Sequence, residues 1–181
     1  MSCDLPAEGT IMNTDYYINR LELSAPLVIA MIQDMSAEQL RWRPGPDAWS
    51  ALEVLCHLYD EECEDFRVRI DYTLHRPGEA LPKIDPQGWV MERHYQDRNP
   101  EEVLEAWLTE RRRSIEWLRG LNTPAWGLRC SDPHLHDLRA GDFLTAWAGH
   151  DLLHLRQLAE LQWAYQAFQA APYFPDYAGD W

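Results

Sequence analysis

Apolar residues recur at three- and four-residue intervals along four long stretches of the chain, and prolines and glycines collect between them. That is the arrangement of amphipathic helices separated by loops. In the first stretch Tyr17, Leu21, Leu27 and Met31 predict a helix from about Thr14 to Met35, capped by Asn13 or Thr14 and bent at Pro26. Ser36-Ala37-Glu38-Gln39 opens on a capping residue and predicts a short helix before the loop Arg43-Pro44-Gly45-Pro46. Trp49, Leu52, Cys56, Tyr59, Cys63, Phe66 and Ile70 predict a second long helix from Trp49 or Ser50 to about Leu74, ended by Arg76-Pro77-Gly78. A third opens at Asn99-Pro100-Glu101-Glu102, with Asn as cap and Pro at the first helical position, and ends near Gly120. The fourth starts at Gly141 or Asp142 and reaches about Ala170, with the stripe Phe143, Trp147, His150, His154, Leu158, Leu161 and Tyr165. The segments from Glu79 to Arg98 and from Thr123 to Ala140 read as long connections. No run alternates with period two, so the expected class is all-α. It is a four-helix bundle with long crossover connections, and the 181 residues suit a single domain.

Charge narrows what such a bundle binds. The sequence has 16 Lys and Arg against 30 Asp and Glu, a formal net charge of −14, and Lys83 is its one lysine. Nucleic-acid binding needs a basic face that releases counterions from phosphates, so no nucleic-acid partner is expected. Arg111-Arg112-Arg113 lies among Glu105, Glu110 and Glu116 and reads as a solvated, charge-paired helix face. No segment approaches the roughly 18 apolar residues of a membrane span, and the N-terminus lacks a basic segment followed by an apolar core. The cytoplasm is therefore the expected compartment. Cys3, Cys56, Cys63 and Cys130 form no CxxC pair. Cys56 and Cys63 share a helix face but sit about 10 Å apart, out of disulfide reach, and read as buried reduced thiols.

The candidate chemistry lies in three histidines. His150 and His154 stand one turn apart, which puts both imidazoles on one helix face about 6 Å from each other, close enough to chelate one ion. An open metal site takes a third protein ligand, and His57 borders the inward stripe of the second helix, where a facing helix can supply it. Spacing alone favours reading the pair as satisfied core or rim histidines. The stretch Arg43-Pro44-Gly45-Pro46-Asp47-Ala48-Trp49-Ser50, followed by Glu53-Val54-Leu55-Cys56-His57-Leu58-Tyr59-Asp60-Glu61-Glu62, resembles the first signature of the DinB-like superfamily of bacterial metal-binding bundles. Gly149-His150-Asp151-Leu152-Leu153-His154-Leu155-Arg156-Gln157 resembles the second, and the similarity keeps order and spacing from about Tyr16 to Ala164.

This resemblance implies an up-up-down-down bundle, frequently a homodimer, with a three-histidine divalent-metal site whose ligands fall on His57, His150 and His154. It also implies an enzyme acting on a small molecule, either a metal-dependent hydrolase or a transferase joining a low-molecular-weight thiol to an electrophile. A non-catalytic metal-binding stress-response protein is the alternative. Related sulfoxide synthases carry Glu two residues after the second histidine, where this chain has Arg156, so that activity is set aside.

Three imidazoles leave the ion its full double charge. Zinc or nickel, and also iron or manganese, held there would acidify a bound water or take a thiol as thiolate. Asp60 and Glu61, three and four residues after His57, are the candidate catalytic carboxylates, with Glu53 and Glu64 on the same side of the helix. Gln157 is placed to hydrogen-bond a ligand or to pack at the core edge. His134 and His136 read as surface residues of a connection able to fold over the open end of the bundle. Trp49, Trp107, Trp117, Trp126 and Trp147 read as core.

Overall fold

The computed structural model describes residues 12–179, which leaves Cys3 and the N-terminal segment outside the description. The long helices are α1 (Thr14–Ile32), a pair α3 (Ala51–Glu64) and α4 (Phe66–His75) continuing one another, α6 (Pro100–Gly120) and α7 (Ala140–Ala170). Two short ones, α2 (Ala37–Arg41) and α5 (Pro86–Glu92), lie in the connections, and no strand forms among the described residues. The expected caps set the starts. Asn13 accepts from Tyr16 N, Ser36 from Gln39 N, and Asn99 from Glu101 N and Glu102 N. Helix α1 stops at Ile32, short of Met35. The second long helix is broken at Asp65 (φ −113°, ψ −95°), where the sequence has neither Pro nor Gly to signal it. The carboxylate of Asp65 is instead taken by Arg69, one turn ahead. Within the segment from Glu79 to Arg98, expected as irregular, α5 and a 3-10 turn at Tyr95–Asp97 form.

Pairs across the bundle set the helix directions. Ser24 meets Asp151, and further along both helices Gln162 bonds the Met31 carbonyl, so α1 and α7 run parallel. Phe66 stacks on Trp147 while His57 meets His154, so α3–α4 runs antiparallel to α7. Glu62 meets Arg111 and Arg67 meets Ser114, so α6 runs parallel to α3–α4. From α1 the order is up, down, down, up, not the up-up-down-down order that the resemblance implies. An up-up start would require residues 33–50 to retrace α1, about 28 Å for its length. The chain instead turns at one end, where α2 forms and Trp42 packs on Tyr165 and Phe168. Residues 76–99 make the one crossover between parallel helices. Residues 121–139 stay at the opposite end, where Trp126 Nε1 donates to Thr14 Oγ1 at 2.8 Å.

The core divides into two apolar clusters, one around Val28, Leu55, Trp107 and Leu158, the other around Leu21, Ile70, Ile115 and Trp147. On every long helix a polar residue falls between them: Ser24, Glu62, Arg111 and Asp151, all buried. Arg111 is only 2% exposed, contrary to the solvated face expected for the Arg111-Arg112-Arg113 run. Its guanidinium reaches Glu62 Oε2 at 2.8 Å, Asp151 Oδ1 at 3.0 Å and the Leu21 carbonyl at 3.0 Å, and Ser24 Oγ donates to Asp151 Oδ2 at 2.5 Å. Burial opposes the Arg111 charge, but the two carboxylates outweigh it and hold the group protonated. On α1 the buried stripe runs through Ile18, Leu21, Val28 and Ile32, so the expected Leu27 faces outward.

Candidate metal centre

His57 sits on the turn after a rigid helix start. Ser50 and Glu53 form a reciprocal capping box at the head of α3, with Ser50 N donating to Glu53 Oε2 at 2.8 Å and Arg43 Nε donating to the same oxygen at 2.9 Å. Glu53, fully buried, thus starts the helix and does not face a ligand. One turn on, His57 projects toward α7, where the register places His150 and His154 opposite it. His57 Nε2 lies 3.1 Å from His150 Nε2, and His154 Nε2 lies 3.0 Å from that same atom. The three ring nitrogens all fall within 4.8 Å of one another, the one such group of His, Cys, Asp or Glu among the described residues. A tetrahedral ion with metal–nitrogen bonds of about 2.0–2.1 Å spaces its ligands roughly 3.3 Å apart, so the donor set matches in kind and spacing.

The electrostatics keep the donors neutral. Burial, then the neighbouring histidines His154 and His150, push His57 down to about 3; burial, then His154 and Arg111, push His150 down to about 3. Burial also lowers His154, partly offset by Gln157 and Asp151. Gln157 Oε1 lies 2.8 Å from His154 Nδ1; as an acceptor it puts the proton on Nδ1 and leaves the Nε2 lone pair facing the other two rings. His57 Nδ1, by contrast, is buried with no hydrogen-bond partner. Free imidazoles this close to one another repel protonation, and free lone pairs this close call for a shared cation.

The candidate carboxylates face elsewhere. Asp60 takes Tyr95 Oη at 2.5 Å and Arg93 Nη1 at 3.0 Å, which ties α3 to the crossover segment. Glu61 is buried against Asp65, and burial followed by that hydrogen bond raises its pKa to about 8. Neither lines the cavity, about 670 Å³, that opens onto His57 and His154. Its walls are Pro44, Asp47, Ala48 and Trp49 from the loop before α3, Gln87 from α5, and Gln157, Glu160, Leu161 and Ala164 from α7. Trp49 packs its ring 4.9 Å from that of His57. Trp49, Asp47, Gln87 and Glu160 escape sequence reasoning because they belong to a loop, a short helix inside the crossover and a helix flank, and only their convergence marks them. His134 and His136 are exposed in the connection at the other end of the bundle, away from this cavity. Trp107 and Trp147 are core.

The sequence model of the DinB superfamily matches residues 20–158. The chain belongs to the DinB superfamily. YfiT from Bacillus subtilis, described as a probable metal-dependent hydrolase with an unusual four-helix bundle topology, superposes on this DinB chain with a TM-score of 0.75. The two are 18% identical over 88% of this chain and 92% of that one, a likeness of fold. No curated protein sequence matches this DinB-superfamily member. Among its described residues no helix is long and apolar enough to cross a membrane.

Opposite pKa shifts around the centre fix a pH profile. His57 and His150 are lowered, from about 6.5 in the unfolded chain to about 3, so the unfolded state binds more protons in that window and stability is lost as pH falls through it. Glu61 is raised, from the 4.5 of a free carboxyl to about 8, so the native state binds more protons there and stability is lost as pH rises. Below pH 6.5 the two histidine contributions outweigh the one from Glu61, so the melting temperature of metal-free protein should rise to a peak near pH 6.5 and fall above it. Glu61→Gln should flatten the alkaline side alone, read by thermal melts across buffers of equal ionic strength.

Proposed function

We propose that the chain is a single-domain, divalent-metal-dependent enzyme that hydrolyses a small molecule, with His57, His150 and His154 as the metal ligands. The observation carrying this reading is the cavity that opens onto two of the three histidines, because a purely structural site would be closed. A divalent ion held there supplies Lewis acidity toward a water, a thiol or a substrate carbonyl. The residues around it orient and bind. Gln157 fixes the His154 tautomer, while Asp60 ties α3 to the crossover segment and Glu61 packs against Asp65, both acting on no substrate themselves. Glu160 and Asp47 are the carboxylates of the cavity wall, within reach of a bound molecule.

Zinc or nickel suits three imidazoles best, ahead of iron or manganese. The proposal includes a cytoplasmic setting, where burial keeps Cys56 and Cys63 protonated, at about 12 and about 11. It also includes the homodimer, toward which α1 and α7 offer the exposed apolar side chains Leu23, Leu27, Leu152 and Leu153. The test is a screen of zinc- and nickel-loaded protein against ester and amide substrates in water, and against electrophiles with low-molecular-weight thiols added. Turnover in water alone is expected. Turnover that requires the thiol would reassign the site to S-transfer, and metal binding without either would make it a binding protein.

A further inference from the structure

The cavity over the histidines has a sign. Its wall includes two carboxylates, Asp47 and Glu160, two amides, Gln87 and Gln157, and the indole of Trp49, but no lysine or arginine. Asp47 is exposed and has no ion-pair partner among the described residues. Glu160 carries one exposed pair, to Arg156 at 2.7 Å, of the kind that water screens strongly. A divalent ion on the three imidazoles brings its double charge to the floor and acts on the donor end of a ligand, so the charge of the wall acts on the part that lies toward the mouth. An independent observation points to a ligand at that floor: the ring nitrogens of His57, His150 and His154 converge within 4.8 Å of one another, and His57 and His154 line the cavity. Around all of this the chain carries a formal −14, a field that attracts cations and repels anions.

We propose that the site selects a small organic cation, a substrate with an ammonium or similar group at one end and a metal-ligating carbonyl or related donor at the other. This rests on the metal-dependent reading above. The donor end goes down to the histidines, where Gln157 borders it. The cationic end stays toward the mouth, where Asp47 and Glu160 offset its charge and the Trp49 face offers a cation–π surface. An anionic end at the mouth, such as that of a thiol carrying several carboxylates, meets two like charges and no counterion in the wall. Selection at such a rim is electrostatic, so it weakens with salt. Two partly exposed carboxylates give discrimination of about tenfold between opposite charges.

The experiment uses three hydroxamates with the same metal-binding head: β-alanine hydroxamate with an ammonium tail, propionohydroxamate with a neutral one and succinic monohydroxamate with a carboxylate. Their dissociation constants are measured by calorimetry on zinc-loaded full-length protein, at low and high salt. The ammonium compound should bind about tenfold more tightly than the carboxylate one at low salt, and Asp47→Asn should cut that ratio to about threefold. Asp47→Asn with Glu160→Gln should bring it near unity while leaving zinc affinity unchanged, which a merely structural role would not do. If all three bind equally, if the carboxylate binds best, or if the ratio survives in the double variant, the cationic selection is wrong and the metal reading stands. If none binds zinc-loaded protein, the metal reading fails and takes this one with it.

Discussion

Replacing Arg111 with Ala should lower the unfolding free energy by about 3–5 kcal/mol, the penalty for leaving buried charge without its partner. The guanidinium is the single cation between Glu62 and Asp151, two carboxylates as buried as itself, and it also fills a hydrogen-bond position at the Leu21 carbonyl. Without it, both carboxylates face each other across a buried layer, with Trp147 Nε1 at 3.2 Å still donating to Glu62. Urea unfolding of the metal-free protein measures the change, and a fall of roughly 10 °C in melting temperature should accompany it. Arg111→Met with Glu62→Gln and Asp151→Asn should recover much of the loss, because neutral groups of similar size remove the charges together. A single Arg111→Ala change costing under about 1 kcal/mol would mean that water enters the layer and that the triad is not what separates the two core clusters.

The same triad shows where reading along the chain stops. Helix starts at Asn13, Ser36, Ser50 and Asn99 were legible because each is a local hydrogen bond between a side chain and the next turn. The stripe of α7 was legible down to His150 and His154, since periodicity alone decides which residues face inward. Arg111 was not. Its neighbours Arg112 and Arg113 are surface residues, and the carboxylates that neutralise it come from α3 and α7, far away in sequence. Helix direction failed for a related reason: the periodicity of α1 and α3 is unchanged by whether the intervening residues 33–50 turn at one end or run the length of the bundle. The break at Asp65 has no Pro or Gly behind it. Asp60 and Glu61 have the right spacing from His57, yet a helix carries several faces near one position, and theirs look toward Tyr95 and Asp65. The cavity lining, assembled from a loop, a crossover helix and the flank of α7, is a product of tertiary packing throughout.

The double change His150→Ala with His154→Ala should abolish stoichiometric binding of zinc or nickel, and either single change should weaken it at least about tenfold. Each removes an Nε2 from a set whose members stand 3.0 to 3.1 Å from the central His150, and two donors cannot enclose an ion that three hold. The fold should survive. The core clusters reach the histidines only at their edges, through Phe66 at His150 and Trp49 at His57, and the charged layer is complete without an ion, so circular dichroism of the double variant and of chelated wild type should remain helical. In the wild type, metal should still raise the melting temperature, because a ligand that binds only the native state stabilises it by mass action. It should do so down to lower pH than free imidazoles allow. With His57 and His150 held near 3, protons compete weakly for the lone pairs, and release is expected near pH 4 rather than at the 6.5 of an exposed histidine. Metal analysis after dialysis at each pH reads this directly. Full metal content in the double variant would overturn the ligand assignment, and collapse of the helices on chelation would turn the ion from a functional group into the element that holds the bundle together.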